Sequence, residues 1–230
     1  MTFIHSPFEF TDLISQTSET GKRQYVTPEG NHYPSVTTVL SAMQESSFLD
    51  SWRERVGNEE ADKISNRAKN RGTQLHKIFE DYVNNSLDIS SHNPIIYQMF
   101  KASKSFLDNN VTKINNVEFA LYSNRLKIAG RCDLLCEWNN VQSILDFKSA
   151  TKPKKEEWIH NYFLQCTIYA MMVYELLGIK IPQIVVFIMP EGSLEPQIFV
   201  KQTSNYMKEA IALVRKYHEQ EETVSNTKLH

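Results

Sequence analysis

Residues 143–150 read SILDFKSA, a short apolar run with an acid and a base two positions apart. Side chains alternate along a strand, so Ile144, Asp146 and Lys148 share one face, while Val141, Ser143, Leu145, Phe147 and Ser149 share the other. Charged side chains are almost never fully buried unless they are paired or bind a metal. The run is therefore either an edge strand carrying an ion pair or a buried strand that delivers a metal site. The sequence on either side has to decide.

Outward from this run, VEFALYS (117–123), LKIAGRCDLLCEW (126–138) and VQSILDFKS (141–149) are all β-like, and the short turns NRL and NN between them predict a meander. A long helix is expected over about 156–177, stopped by Gly178. PQIVVFIMP (182–190) is almost wholly apolar, the mark of a strand buried on both faces, and LEPQIFVKQ (194–202) predicts a further strand. Ser204 is placed to cap a last amphipathic helix running to about Glu219, followed by a polar tail over 220–230. Upstream, residues 1–34 read as irregular chain or short strands, with TPEGNHYP as a turn cluster. From Ser35 to about Asn110 the pattern is helical. Ser35 is cap-like, Ile64, Leu75, Phe79 and Val83 fall on one helix face, Gly72 is expected to interrupt that helix, and Pro94 opens another. Helices, a meander, a helix and more strands predict an α/β domain.

Composition narrows the class. With 230 residues, 41% hydrophobic and 23% charged, the chain is long enough for one domain with a substantial core. A net charge of −2 gives no global basic character, although a local basic patch remains compatible with it. The three cysteines are Cys132, Cys136 and Cys166; the first two would lie roughly 13 Å apart on one strand, too far for a disulfide. A reducing, intracellular compartment follows as the expectation. The N-terminus lacks a basic segment followed by an apolar run, and no stretch reaches membrane-spanning length, so no membrane association is expected.

Several side chains then point to chemistry. Asp133 lies on the strand before Asp146 and Lys148, so a meander brings two carboxylates and an ammonium close together. Neighbouring carboxylates repel unless a proton or cation sits between them, and hard cations such as Mg²⁺ or Mn²⁺ suit oxygen ligands. His76 and Glu80 share a helix face at i, i+4, either as a solvated pair or with His76 as a third ligand. Gln165 and Tyr169 repeat that spacing on the long helix, where a buried Gln amide needs a partner. Lys148, Lys152, Lys154 and Lys155 form one basic run, and Arg67, Lys69 and Arg71, leading into Gly72-Thr73, form a second. Beside a phosphate-cleaving centre, both would follow a nucleic-acid backbone.

Taken in order, His76, Gly130-x-x-Asp133, Asp146-x-Lys148 and Gln165-x-x-x-Tyr169 resemble the RecB-like branch of the PD-(D/E)XK nuclease superfamily. YPSVTTVL and RGTQLHKIFE are similar to the N-terminal part of the mitochondrial genome maintenance exonucleases and their phage relatives. The resemblance implies a single nuclease domain over 1–230. It has a helical part over about 35–110 and a restriction-endonuclease-like core over 115–219, in which helices flank a mixed central sheet. It implies His76, Asp133, Asp146 and the Phe147 carbonyl as ligands of Mg²⁺ or Mn²⁺, with Lys148 as the catalytic lysine. Gln165 and Tyr169 would support the site and the DNA, and Glu118 sits where relatives often carry an acid. Ser35, Arg71, Thr73 and Lys152 are expected in supporting or DNA-binding roles. The implied activity is metal-dependent exonucleolytic hydrolysis of DNA, on single strands or ends, in the cytoplasm (of a host cell if the gene is a phage's). A catalytically silent DNA-binding scaffold and a structure-specific endonuclease are the alternatives.

Overall fold

The computed structural model describes residues 1–18, 21–44 and 47–227, the side chains of 47–50 and 224–227 excepted. After an N-terminal segment comes a small antiparallel sheet of β1 (Ile14–Thr17), β2 (Arg23–Val26) and β3 (His32–Pro34). Four helices follow: α1 (Val36–Ala42), α2 (Ser47–Val56), α3 (Asn58–Val83) and α4 (Pro94–Asn110). The starts of α1 and α4 follow the expected chemistry. The Ser35 side chain accepts from the Thr38 N–H, Asn93 accepts from the Ile95 N–H, and Pro94 takes the first turn.

The second half builds a mixed five-stranded sheet. Its strands are β4 (Val111–Ser123), β5 (Ile128–Trp138), β6 (Val141–Ala150), β7 (Gln183–Pro190) and β8 (Gln197–Gln202), side by side in that order. The β4–β5–β6 meander is antiparallel, and Asn139 and Asn140 turn it with φ of 52° and 64°, the left-handed pair a tight hairpin needs. β6 then pairs in parallel with β7 through the crossover helix α5 (His160–Leu177), which ends at Gly178 with φ 72°. β8 returns antiparallel, and α6 (Met207–Thr227) closes the described chain.

Helices cover both faces of the sheet. Ile184, Val186 and Ile188 of β7 pack with α1, α5 and α6, while Val185, Phe187 and Met189 pack with α3 and α4, so the all-apolar run is buried on both sides as expected. On the α3 side, Phe79 stacks on Phe147 of β6 with ring centroids 4.4 Å apart and planes 15° apart. Such a pair contributes about 0.5–1.5 kcal/mol beyond its buried area, and it fixes how α3 lies along β6.

Three local expectations differ from the structure. α3 runs unbroken through Gly72: one interior glycine costs a helix about 1 kcal/mol, which the buried face of Leu75, Ile78, Phe79, Tyr82 and Val83 outweighs. The long helix begins at His160 after a separate 3-10 turn at Glu156–Trp158. Ser204 lies within another such turn, Thr203–Asn205, rather than capping α6, which continues past Glu219 to Thr227. All three cysteines are free and buried, and no helix among the described residues is long and apolar enough to cross a membrane.

Candidate metal centre

β5 and β6 pair from Trp138 and Val141 as far as Leu134 and Leu145, then part. Beyond that point β5 follows β4, and β6 follows β7 to Ala150. The fork leaves backbone groups without ladder partners, and buried backbone N–H groups must be satisfied. Asp133 lies at the crotch and meets this need: its Oδ2 accepts the Phe147 N–H at 2.8 Å.

The facing of β4 and β5 also changes at this level. Val117 and Leu134 pack toward α3 and α4, whereas Phe119 and Cys132 pack toward α5 and α6. Residues two apart on a regular strand share a face, so both strands reverse their facing at Glu118 and Asp133. Glu118 has φ 46°, a left-handed conformation rare for a residue with a Cβ. The reversal brings Glu118 and Asp133 together beneath α3, where His76 completes a group whose candidate ligand atoms lie within 4.8 Å of one another. His76 Nδ1 is 3.4 Å from Asp133 Oδ2.

The helix α5 fills the other side of the fork, one residue to each arm. Gln165 Nε2 donates to Asp146 Oδ1 at 3.0 Å. One turn on, Tyr169 packs against Gly130 of β5, where an added Cβ would lie 2.8 Å from Tyr169 Cε1 and 3.2 Å from Val36 Cγ2. This explains both motif spacings: i, i+4 spans the fork, and glycine admits the ring. Gln165 and Tyr169 are both buried. Gly130→Ala is expected to cost about 1–3 kcal/mol by overpacking, with a smaller cost in a Tyr169→Ala background; urea unfolding of the four proteins checks this.

Asp146 is only 1% exposed, and Lys148 stands beside it with Nζ 2.5 Å from Asp146 Oδ2. That contact is an ion pair without hydrogen-bond geometry, so Oδ2 remains a buried oxygen lacking a directed donor. The Lys148 ammonium also lies 5.1 Å from the Tyr162 ring centroid. The expected set is therefore divided. His76 and Asp133 come together as expected, Glu118 joins them, and Asp146 stands outside the group, engaged by Lys148 and Gln165.

The surrounding charges fit a cation. Burial, reinforced by the Asp133 charge, pushes Glu118 up from 4.5 to about 7. Burial also raises Asp146, to about 6, against the pull of Lys148. Burial alone would raise Asp133, but the neighbouring His76 and Lys148 charges and the Phe147 N–H hold it below its ordinary range. Burial lowers His76, but the charge and hydrogen bond of Asp133, with the Asp146 charge, together leave it raised. One imidazole and two carboxylates, one of them resisting ionisation, form a donor set for a divalent ion. The sign follows from the raised Glu118 value. Its contribution to metal-free stability is complete below about pH 4.5 and is lost as pH rises through about 7. An ion needs the deprotonated form, so the rise in Tm on adding Mn²⁺ is expected to be larger at pH 8 than at pH 6, as thermal unfolding at both values would show.

The remaining expected residues lie apart from this group. Ser35 is buried at the start of α1, and its backbone bridges Ala129 beside Gly130. Arg71 pairs with Glu191 at 2.9 Å and reaches Thr151, while exposed Thr73 bonds back to the Lys69 carbonyl. Lys152 is exposed with Lys154 and Lys155 on the loop after β6. Arg131, which donates to the Glu118 carbonyl, was not singled out from sequence. Its arginine-then-acid order before Asp133 gives no distinctive signal.

No protein-family model matches the chain. Over 131 residues it is 24% identical to mitochondrial genome maintenance exonuclease 1 of Mus musculus, covering 54% of this chain and 39% of that protein. That relative is named an exonuclease. The chain spans well under half of its length. Among solved structures, a candidate exonuclease from Eubacterium rectale aligns with TM-score 0.49 and 13% identity, over 70% of this chain and 69% of that one. The structure of SSO0001 aligns with TM-score 0.31 and 11% identity, over 66% and 71%. Both structural likenesses are too loose to bear on fold or activity.

Proposed function

We propose that the chain is a Mg²⁺- or Mn²⁺-dependent deoxyribonuclease, acting as an exonuclease on single-stranded DNA or DNA ends. The observation that carries this reading is the meeting of His76, Glu118 and Asp133 at the strand fork, next to buried Asp146 and its partly buried partner Lys148. The distant likeness to a protein named as an exonuclease supports it.

His76, Glu118 and Asp133 would hold the ion, with Asp146 and the Phe147 carbonyl as the further ligands that the sequence resemblance implies. A divalent ion bound there would supply Lewis acidity toward a phosphoryl oxygen and make water a better nucleophile near neutral pH. Neutral His76 offers a ring nitrogen, while Glu118 and Asp133 offer anionic oxygens. Gln165 keeps Asp146 from rotating by holding Oδ1. Lys148 orients the nucleophile or offsets charge that develops on the phosphate, work that a fixed ammonium in a dry site does without reorganising. The exposed lysines 152, 154 and 155 follow the DNA backbone.

The test is digestion of end-labelled linear single-stranded DNA, circular single-stranded DNA and linear duplex with Mg²⁺, Mn²⁺ or EDTA. Metal-dependent loss of the linear strand, with the circle spared, is the expected result, and the label gives the polarity. Cleavage of the circle would replace the exonuclease with an endonuclease. Binding without cleavage in either metal would favour the silent scaffold.

A further inference from the structure

The N-terminal segment lies along β4 as a strap. The Ser6 N–H donates to the Ile114 carbonyl at 2.8 Å, and Asn115 Nδ2 donates to the Ser6 carbonyl at 2.8 Å. Asn116 then takes both backbone groups of Phe8: its Oδ1 accepts the N–H at 3.1 Å, and its Nδ2 donates to the carbonyl at 2.9 Å. The Phe10 ring packs on Phe119 with centroids 4.8 Å apart. These contacts bracket Glu118 on both sides. Arg131 closes the bracket from β5, with one guanidinium nitrogen donating to the Glu118 carbonyl and the other paired with Asp12 of the strap.

Glu118 needs such a bracket. A left-handed residue with a Cβ persists only where its surroundings over-determine it. At φ 46° its side chain leaves the regular alternation and joins Asp133 and His76. We propose that Arg131, backed by Asp12, is a positioning residue that holds the Glu118 backbone in this conformation and so presets the carboxylate for a divalent ion. The inference rests on the metal reading above, and it gives the N-terminal strap a part in the site.

The test is calorimetric titration of Mn²⁺ into the 230-residue chain and its variants, with metal-free thermal unfolding measured alongside. Arg131→Met is expected to weaken Mn²⁺ binding about 10–100-fold, the usual cost of losing a group that orients a ligand, with little change in the metal-free Tm. Arg131→Lys, which keeps a charged donor, is expected to recover part of that loss. Asp12→Ala, at an exposed side chain, is expected to weaken binding about two- to fivefold. Wild-type Mn²⁺ affinity in Arg131→Met would overturn the proposal, and should that variant not fold, wild-type affinity in Asp12→Ala would do so. Absence of Mn²⁺ binding by the unaltered protein would overturn the metal reading, and this inference with it.

Discussion

Lys148→Met is expected to slow DNA cleavage about 10²–10³-fold while leaving Mn²⁺ binding in place. The ammonium is no metal ligand, so removing it spares the donor group of His76, Glu118 and Asp133. It removes the fixed positive charge that Asp146 and Tyr162 hold at the fork. Asp146 keeps its hydrogen bond from Gln165 in this variant, and in the metal-free protein burial, which holds it up at about 6 even against the pull of Lys148, lets it stand neutral without that partner. Single-turnover rates at saturating metal isolate the chemical step. A variant that cleaves within a few-fold of the wild-type rate would remove Lys148 from the mechanism.

The converse change acts on stability. Asp146→Ala leaves a partly buried ammonium, 19% exposed, without its counter-charge, and the roughly 3–5 kcal/mol lost on breaking a fully buried pair sets the upper end of the cost. The cost is larger than for Lys148→Met because Lys148, lowered by burial but raised more by Asp146 and Asp133, is held above its ordinary range. Removing Asp146 forfeits most of that stabilisation. The double variant Asp146→Ala with Lys148→Met should recover a large part of the loss, the signature of a coupled pair. Urea unfolding of the three variants and the wild type measures this. A loss below about 1 kcal/mol for Asp146→Ala would mean that the pair behaves as an exposed one.

What could be read from the sequence followed from periodicity. The alternation that puts Asp146 and Lys148 on one face, the all-apolar β7 run and the glycine after α5 are local signals, and the structure keeps each of them. Gly72 misled because its local cost in a helix is outweighed by burial of the face carrying Leu75, Phe79 and Val83 against the sheet, which is tertiary packing. The site was only partly legible. Alternation describes regular strands, and both strands depart from it at Glu118 and Asp133, where the metal group forms. Nothing local marks Glu118 as left-handed. Its Arg131–Asp12 bracket joins residues 119 positions apart, which no spacing rule reaches. For the same reason the expected ligands included Asp146 and not Glu118, which was expected only as a supporting acid, whereas the structure groups Glu118 with His76 and Asp133.

The most direct measurement is anomalous diffraction from crystals of the protein soaked in Mn²⁺. The account predicts a peak at the fork within coordination distance of His76, Glu118 and Asp133, and the same map would show whether Asp146 has turned from Lys148 toward the ion. Ordered Mn²⁺ elsewhere, or an empty fork at saturating Mn²⁺ and pH 8, would contradict the central claim that these strands part to build a metal centre.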